Sequence, residues 1–252
     1  MNTINYNIVA DLYDSYVKIQ SDISFFLKES KNVKGKVLEL MCGTGRISIH
    51  LLQNNIGLTC VDYSEGMLKI FKEKIKGKRY KVKLIKMDVS ELCLNDNYEL
   101  IFIPFQSFSE ILSKNKQKTA LRKIHKHLIT NGKFICTFHN PNIKIKLANG
   151  EWKILGKFNQ DDNSILIYNL NEFSSQKNIV TGFQRYEIYN KHNKLIDKRL
   201  LPIKYKIINK DEFEETVKEI GFKIIKIYGD YNYSSYNEKN SNYIIYVMEK
   251  VV

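Results

Sequence analysis

The chain has 252 residues, 43% of them hydrophobic, and a formal net charge of +13. That length can bury a full core as one α/β domain. No apolar run nears the ~20 residues that span a bilayer, and the start MNTINYNIVA lacks the basic-then-apolar order of a signal peptide, so a cytoplasmic location with no membrane partner is expected.

From the N-terminus, Asn5 to Val17 places Ile8, Val9, Leu12, Tyr13 and Tyr16 on one helical side. A second amphipathic stretch follows with Ile23, Phe26 and Leu27, so two helices precede the first strand. Strand patterns then alternate with helical ones, the sign of a parallel sheet. The strands are expected at about Lys36 to Leu40, Leu58 to Val61, Lys81 to Ile85, Leu100 to Ile103 and Phe134 to Phe138. Arg46 to Leu52 suits the first crossover helix, and Ser64 is an N-cap for a helix with Met67, Leu68, Phe71 and Ile75 on one face. Ala120, Leu121, Ile124 and Leu128 form a further helical stripe flanked by His125 and His127, read as surface residues, with Asn131-Gly132 turning into the fifth strand.

Beyond Pro141 the pattern changes. Glu151 to Ile208 holds several strand-like stretches, with Asp161-Asp162-Asn163 and His192-Asn193 between them. Alternation of Phe183, Arg185 and Glu187 against Gln184, Tyr186 and Ile188 predicts an antiparallel sheet with two dissimilar faces, inserted after the fifth strand. The core pattern then returns. Asn209 is an N-cap with Glu212 three residues on, Phe213, Val217 and Ile220 supply a buried stripe, and Gly221 ends the helix. Phe222 to Gly229 and Asn242 to Lys250 are the last two strands.

The chemistry centres on Val37 to Arg46, VLELMCGTGR, in which Gly43 and Gly45 let the backbone turn sharply after a buried strand and approach a ligand. A glycine turn between strand and helix is where an open α/β sheet binds nucleotides. Asp62, ending the second strand, can accept both hydroxyls of a ribose. The position three beyond Gly45 is Ser48, so the G-x-G-x-x-G of a pyrophosphate loop is incomplete and an NAD oxidoreductase is a distant reading.

Glu39-x-x-x-Gly43-x-Gly45, then Asp62, then Met87-Asp88-Val89 resemble the first three motifs of class I S-adenosylmethionine-dependent methyltransferases. Ile103 to Leu112 (IPFQSFSEIL) is similar to the proline-aromatic loop of a bacterial small-molecule subgroup of that family, and Leu121 to Phe134 resembles its helix, glycine turn and fifth strand. The resemblance covers Val37 to Pro141 well and the remainder loosely. It implies a Rossmann-like seven-stranded sheet, six strands parallel and the last antiparallel beside the fifth, with helices on both faces. The expected organisation is one methyltransferase domain: residues 1–34 a helical lid, 35–141 the cofactor-binding core, 142–208 an antiparallel β cover over the substrate, and 209–252 the last helix and two strands.

The same resemblance implies S-adenosylmethionine as cofactor and S-adenosylhomocysteine as product, moving a methyl group to an N or O atom of a small molecule. Asp62 would take the ribose hydroxyls, Gly43, Thr44 and Gly45 the methionine portion, and Glu39 would orient that loop and the ammonium end of the cofactor. Asp88 and Val89 would meet the adenine, with Tyr63 and Met67 packing near ribose and adenine. Cys42 lies in the glycine loop where contact with cofactor is expected, and Arg46 is a candidate for the cofactor carboxylate or for a salt bridge. Tyr13, in a Tyr13-Asp14 pair, would close over the cofactor or pack on the sheet. Phe105 would line the pocket, and Gln106 and Ser107 would contact substrate; Gln106 stands where the subgroup commonly has arginine. His139, at the carboxyl end of the fifth strand, is the candidate catalytic base, with substrate contact and structural packing as alternatives.

Cys42, Cys60, Cys93 and Cys136 are widely spaced with no CxxC or Cys/His metal pattern, so reduced, buried thiols and no metal are expected. The charge suggests nucleic acid as a possible partner. However, arginine stands only at Arg46, Arg79, Arg122, Arg185 and Arg199, and the densest lysine cluster, Lys72 to Lys86, falls on the far edge of the resembled sheet. A solvated lysine face is the first reading, and an RNA or protein methyltransferase remains the alternative. A non-catalytic cofactor-binding module is the second alternative, opposed by the intact Glu39, Gly43, Gly45, Asp62 and Asp88 set. The chain is expected to be a monomer or weak homodimer.

Overall fold

The computed structural model describes residues 4–251. At the N-terminus a 3-10 turn (Tyr6–Ile8) leads to a single-turn helix α1 (Tyr13–Tyr16), and then to α2 (Ser21–Lys31). The continuous helix expected over Asn5 to Val17 is therefore broken. Its backbone finds partners outside itself: Tyr63 donates to the Ile4 carbonyl, Arg199 to that of Ile8 and Gln160 to that of Asp11. Ile4, Val9 and Leu12 are drawn onto a neighbouring sheet, and no single helix face could serve that sheet and the tyrosines at once.

The core then follows the expected alternation. In chain order it runs β1 (Val37–Leu40), α3 (Arg46–Gln53), β2 (Leu58–Asp62), α4 (Glu65–Ile75), β3 (Val82–Lys86), β4 (Tyr98–Ile103), α5 (Lys114–His127) and β5 (Leu128–His139). Every residue of β1 and β2 is buried, which is why they read as near-continuous apolar runs. Ser64 caps α4 by accepting from the Met67 N–H. β5 starts earlier than Phe134. Leu128 pairs with Tyr98, the register then jumps to Lys133 opposite Leu100, and Asn131 (φ 61°) sits in that bulge, so Asn131-Gly132 bends the strand instead of preceding it.

After β5 comes a helix not expected from the sequence, α6 (Pro141–Leu147), with Asn140 as N-cap and Pro141 in its first turn. A four-stranded antiparallel sheet follows, β6 (Asn149–Gln160), β7 (Asn163–Ser174), β8 (Ile179–Tyr189) and β9 (Leu195–Lys206), in sequential order. The chain returns through α7 (Lys210–Ile220), which starts at the Asn209 cap and ends at Gly221 in the left-handed conformation, to β10 (Phe222–Tyr228) and β11 (Tyr243–Lys250).

The main sheet has seven strands in the order β10-β11-β5-β4-β1-β2-β3. β11 is antiparallel to β5 and β10, and the remaining pairs are parallel. Helices α2, α3 and α4 cover one face, with Phe26, Leu51 and Phe71 in the same cluster as Val37, Leu100 and Phe102. Helices α5 and α7 cover the other, with Ile124 and Val217 against Leu38, Leu40 and Ile101. The antiparallel sheet has its own apolar cluster, in which Ile165, Ile167, Tyr186, Ile188 and Leu201 meet Ile4, Val9 and Leu12 of the N-terminal segment. That segment is thus a component of the cover.

Candidate active site

In an open α/β sheet the crevice lies at the carboxyl ends of the strands where their order reverses, here between β1 and β4. The backbone there is strained. Met41 after β1 and Phe105 and Gln106 after β4 all take positive φ (58°, 54° and 59°), a region that costs non-glycine residues about 1–3 kcal/mol each. All three border a cavity of about 460 Å³ also lined by Tyr13, Gly43, Asp62, Tyr63, Met67, Ser107 and His139. A second cavity of about 250 Å³ shares Met41, Asp62 and Tyr63 with it and adds Val61, Met87, Asp88 and Val89. Two adjoining chambers therefore meet at Asp62.

The glycines answer to different demands. Gly45 (φ +76°) has no room, because a Cβ there would collide with the Phe71 ring, whereas a Cβ on Gly43 (φ +56°) would meet nothing within 4 Å. Gly43 thus exposes bare backbone to the cavity. Its N–H donates to Asp62 Oδ2 (2.7 Å) while the Ser64 N–H donates to Oδ1 (2.8 Å). Burial raises the Asp62 carboxyl, partly offset by these N–H bonds, and each oxygen keeps accepting capacity towards a ligand.

Glu39 stands behind the loop. It is buried, accepts from Ser48 Oγ of α3 (2.5 Å), and burial raises its carboxyl to about 8 against the opposing Ser48 bond. It lines neither cavity, which fits a part in holding the loop on α3. Thr44 likewise turns to the lid side, donating from Oγ1 to Asp14 (2.7 Å), and Lys74 ties Asp14 and the Thr44 carbonyl together. Tyr13-Asp14 is therefore a two-sided clamp, Asp14 on the glycine loop and Tyr13 on the cavity wall.

Besides Glu39, Thr44 and Gly45, which line neither chamber, two more expected contacts are kept from the cavity. Arg46 forms a bidentate pair with buried Asp22 of α2, donates to the Ile19 carbonyl (2.8 Å) and lies over the Phe105 ring at 5.1 Å. Of its two readings, the structure has the salt bridge, because α2 packs across the start of α3 and brings a carboxylate to the guanidinium. Cys42 points the other way from Gly43 into the apolar cluster with Phe26 and Ile47, as a strand-end residue does when its neighbour faces the crevice. Cys93 is exposed, against the expectation that all four thiols are buried. His127 is buried too, not on the surface: its Nε2 accepts from the Leu94 N–H (2.9 Å).

His139 lies on the cavity wall, opposite Tyr243 of β11 and near the Tyr205 ring of β9. Burial, with Lys144 adding to it, lowers its imidazole to about 3. It stays neutral at neutral pH, and so weak a base does not suit general-base work. Gln106 is buried, donating from its backbone to Thr137 Oγ1 (3.0 Å) and from Nε2 to Tyr231 (3.4 Å).

Several wall residues carried no sequence signal. Glu110 lines both chambers and accepts from Tyr6 Oη (2.9 Å), and burial raises its carboxyl to about 8 against that bond. Tyr16, Phe158, Asn169, Asn171, Gln184 and Tyr205 come from the lid and the cover. Only the inward alternation of the cover strands could have pointed to the last five. Among the described residues no group of three or more His, Cys, Asp or Glu could hold a metal.

Fold and crevice together define a Rossmann-like ligand site whose smaller chamber holds two carboxylates, Asp62 at the end of β2 and Asp88 just beyond β3. Comparison with known proteins makes this specific. Residues 37–132 match a family model described as a methyltransferase domain. The chain is 22% identical over 230 residues to a putative methyltransferase, YqeM, of Bacillus subtilis (strain 168), covering 87% of this chain and 83% of that one. Among solved structures it is similar to an S-adenosylmethionine-dependent methyltransferase from Clostridium acetobutylicum ATCC 824 (TM-score 0.83, 19% identity, 98% and 99% of the two chains). It also resembles S-adenosylmethionine-bound CalS10, an amino pentose methyltransferase from Micromonospora echinaspora (TM-score 0.71, 10% identity, 97% of each chain). The methyltransferase-domain match over residues 37–132, the methyltransferase relatives and the shared fold together support a class I S-adenosylmethionine-dependent methyltransferase.

Proposed function

We propose that this enzyme methylates an N or O atom of a small molecule held between the glycine loop and the antiparallel cover, in a single domain whose last helix and strands complete the core. The observation that carries this reading is the pair of chambers meeting at Asp62, one flanked by Asp88 and Val89, the other roofed by the cover sheet. The cofactor fits: Gly43 leaves open space where any side chain would intrude, and both Asp62 oxygens are already oriented by N–H donors. Asp62 would hold the ribose hydroxyls, Asp88 and Val89 the adenine, and Gly43 the methionine portion, with Tyr63 and Met67 beside them. When bound, S-adenosylmethionine supplies an electrophilic methyl group.

The protein's own part is orientation and exclusion of water, which in well-aligned reactions is worth up to about 7–11 kcal/mol. Tyr13 and Phe105 line the passage between cofactor and acceptor, and Gln106 and Ser107 border the acceptor side. An amine that arrives neutral needs no base, in keeping with a neutral His139 that contacts substrate. That the amino pentose methyltransferase above shares this fold supports a small-molecule acceptor.

Calorimetric titration with S-adenosylmethionine, S-adenosylhomocysteine and NAD tests the reading. Both adenosyl ligands are expected to bind, NAD not, and Asp62→Ala to lose at least about tenfold in affinity while remaining folded by circular dichroism. Well-folded parent protein that binds neither adenosyl ligand would sink it.

A further inference from the structure

Two polar atoms of cover residues that line the acceptor chamber have nothing to bond. Asn171 Oδ1 of β7 and Tyr205 Oη of β9 have no hydrogen-bond partner, although each residue is only 9% exposed. Both residues line the larger cavity. A buried polar atom left unsatisfied costs stability, and leucine and phenylalanine would fill the same places without that cost. Folding gives no reason for either group.

Strand register groups them. Asn171 pairs with Gly182 of β8, Gly182 with Ile203 of β9, and Tyr205 with the next inward residue of β8, Val180. A Cβ at Gly182 would strike the Leu170 carbonyl oxygen (1.8 Å) and come within 2.9 Å of Asn171 Oδ1, so the bare backbone there leaves room for the amide. One inward step along, Asn169 and Gln184 pair and bring a second couple of amides to the same wall. An amide oxygen can only accept, and a phenol can donate or accept. Together they match groups that do both, as hydroxyls do, and Ile203, in register with Gly182 and Asn171, and Phe158 add apolar surface to the same chamber.

We infer that Asn171 and Tyr205 determine acceptor specificity, and that the acceptor is a hydroxyl-rich molecule whose hydroxyls complete the hydrogen bonding of these two side chains. This rests on the reading of the larger cavity as the acceptor chamber. An apolar acceptor of the same size leaves both groups unpaired and is discriminated against, because a site built to bond a hydroxyl rejects the analogue that lacks it.

The test uses S-adenosylhomocysteine-loaded protein and two probes of one ring size, glucosamine and cyclohexylamine, titrated into the parent, Asn171→Leu and Tyr205→Phe proteins. Glucosamine is expected to bind at least about tenfold tighter than cyclohexylamine, and each substitution to remove about tenfold of its affinity with that for S-adenosylhomocysteine unchanged. The unliganded variants are expected to melt at or above the parent temperature, since no bond is lost. Equal affinity for the two probes, binding of neither, unaltered glucosamine affinity in the variants, or variants that melt lower would each overturn the inference. Failure of the parent to bind S-adenosylhomocysteine is read in the same titration and would remove the underlying reading along with it.

Discussion

At the scale of single residues, Gly43 and Gly45 look alike in the sequence and differ in what surrounds them. Both need positive φ, which costs an L-residue about 1–2 kcal/mol. Only Gly45 is also packed against Phe71. Gly45→Ala is therefore expected to destabilise the protein by about 2–4 kcal/mol in urea unfolding, strain and overpacking combined. Gly43→Ala is expected to cost only about 1–2 kcal/mol of stability. Its main effect is weaker S-adenosylmethionine binding, because its methyl group enters the cavity. Equal stability losses, with cofactor affinity intact in Gly43→Ala, would contradict this division.

At the scale of elements, the junction between α2 and α3 is an ion pair in a mostly apolar layer. Asp22 has a fully buried side chain and Arg46 is 13% exposed, and the same guanidinium lies over Phe105 in the strained loop after β4. Removing one member of such a pair leaves a buried charge, so Asp22→Ala is expected to lose about 3–5 kcal/mol. Because Arg46 then shifts from Phe105, cofactor affinity should fall as well, even though neither charged residue lines a chamber. Retained stability in chemical denaturation would show that the guanidinium finds water instead. The first-turn position of Arg46 was plain in the sequence, but its partner was not: a carboxylate 24 residues upstream is brought to it by packing alone.

At the scale of the whole molecule, burial of titratable groups around the chambers sets opposing pH dependences. Glu39 and Glu110 rise from 4.5 to about 8. The folded state then holds protons that the unfolded state has released, so their contribution is full below pH ~4.5 and lost as pH rises through about 8. His139 falls from 6.5 to about 3, so its contribution is full above pH ~6.5 and lost as pH falls towards about 3. Glu110→Gln is expected to flatten the decline of melting temperature between pH 4.5 and 8, and His139→Asn to flatten the decline below pH 6.5. Parallel profiles for parent and variants would rule out these groups as the source.

The seven-stranded sheet with its last strand antiparallel beside the fifth followed only from the family resemblance, whereas the alternating strands and helices of the core, the cover's antiparallel nature and the Gly43, Asp62 and Asp88 positions were legible in the sequence. Each depends on local periodicity, on caps such as Ser64 and Asn209, or on backbone conformations that only certain residues take without strain. Local chemistry repeats along a chain and can be read from it. Tertiary structure decided what lies across gaps in sequence. It broke the N-terminal helix to serve the cover, withdrew Cys42 and Arg46 from the cavity, depressed His139, and set Glu110, Asn171 and Tyr205 into its wall. Burial, pairing and unmet hydrogen bonds are properties of a surrounding volume, and that volume exists only once distant segments have packed around it.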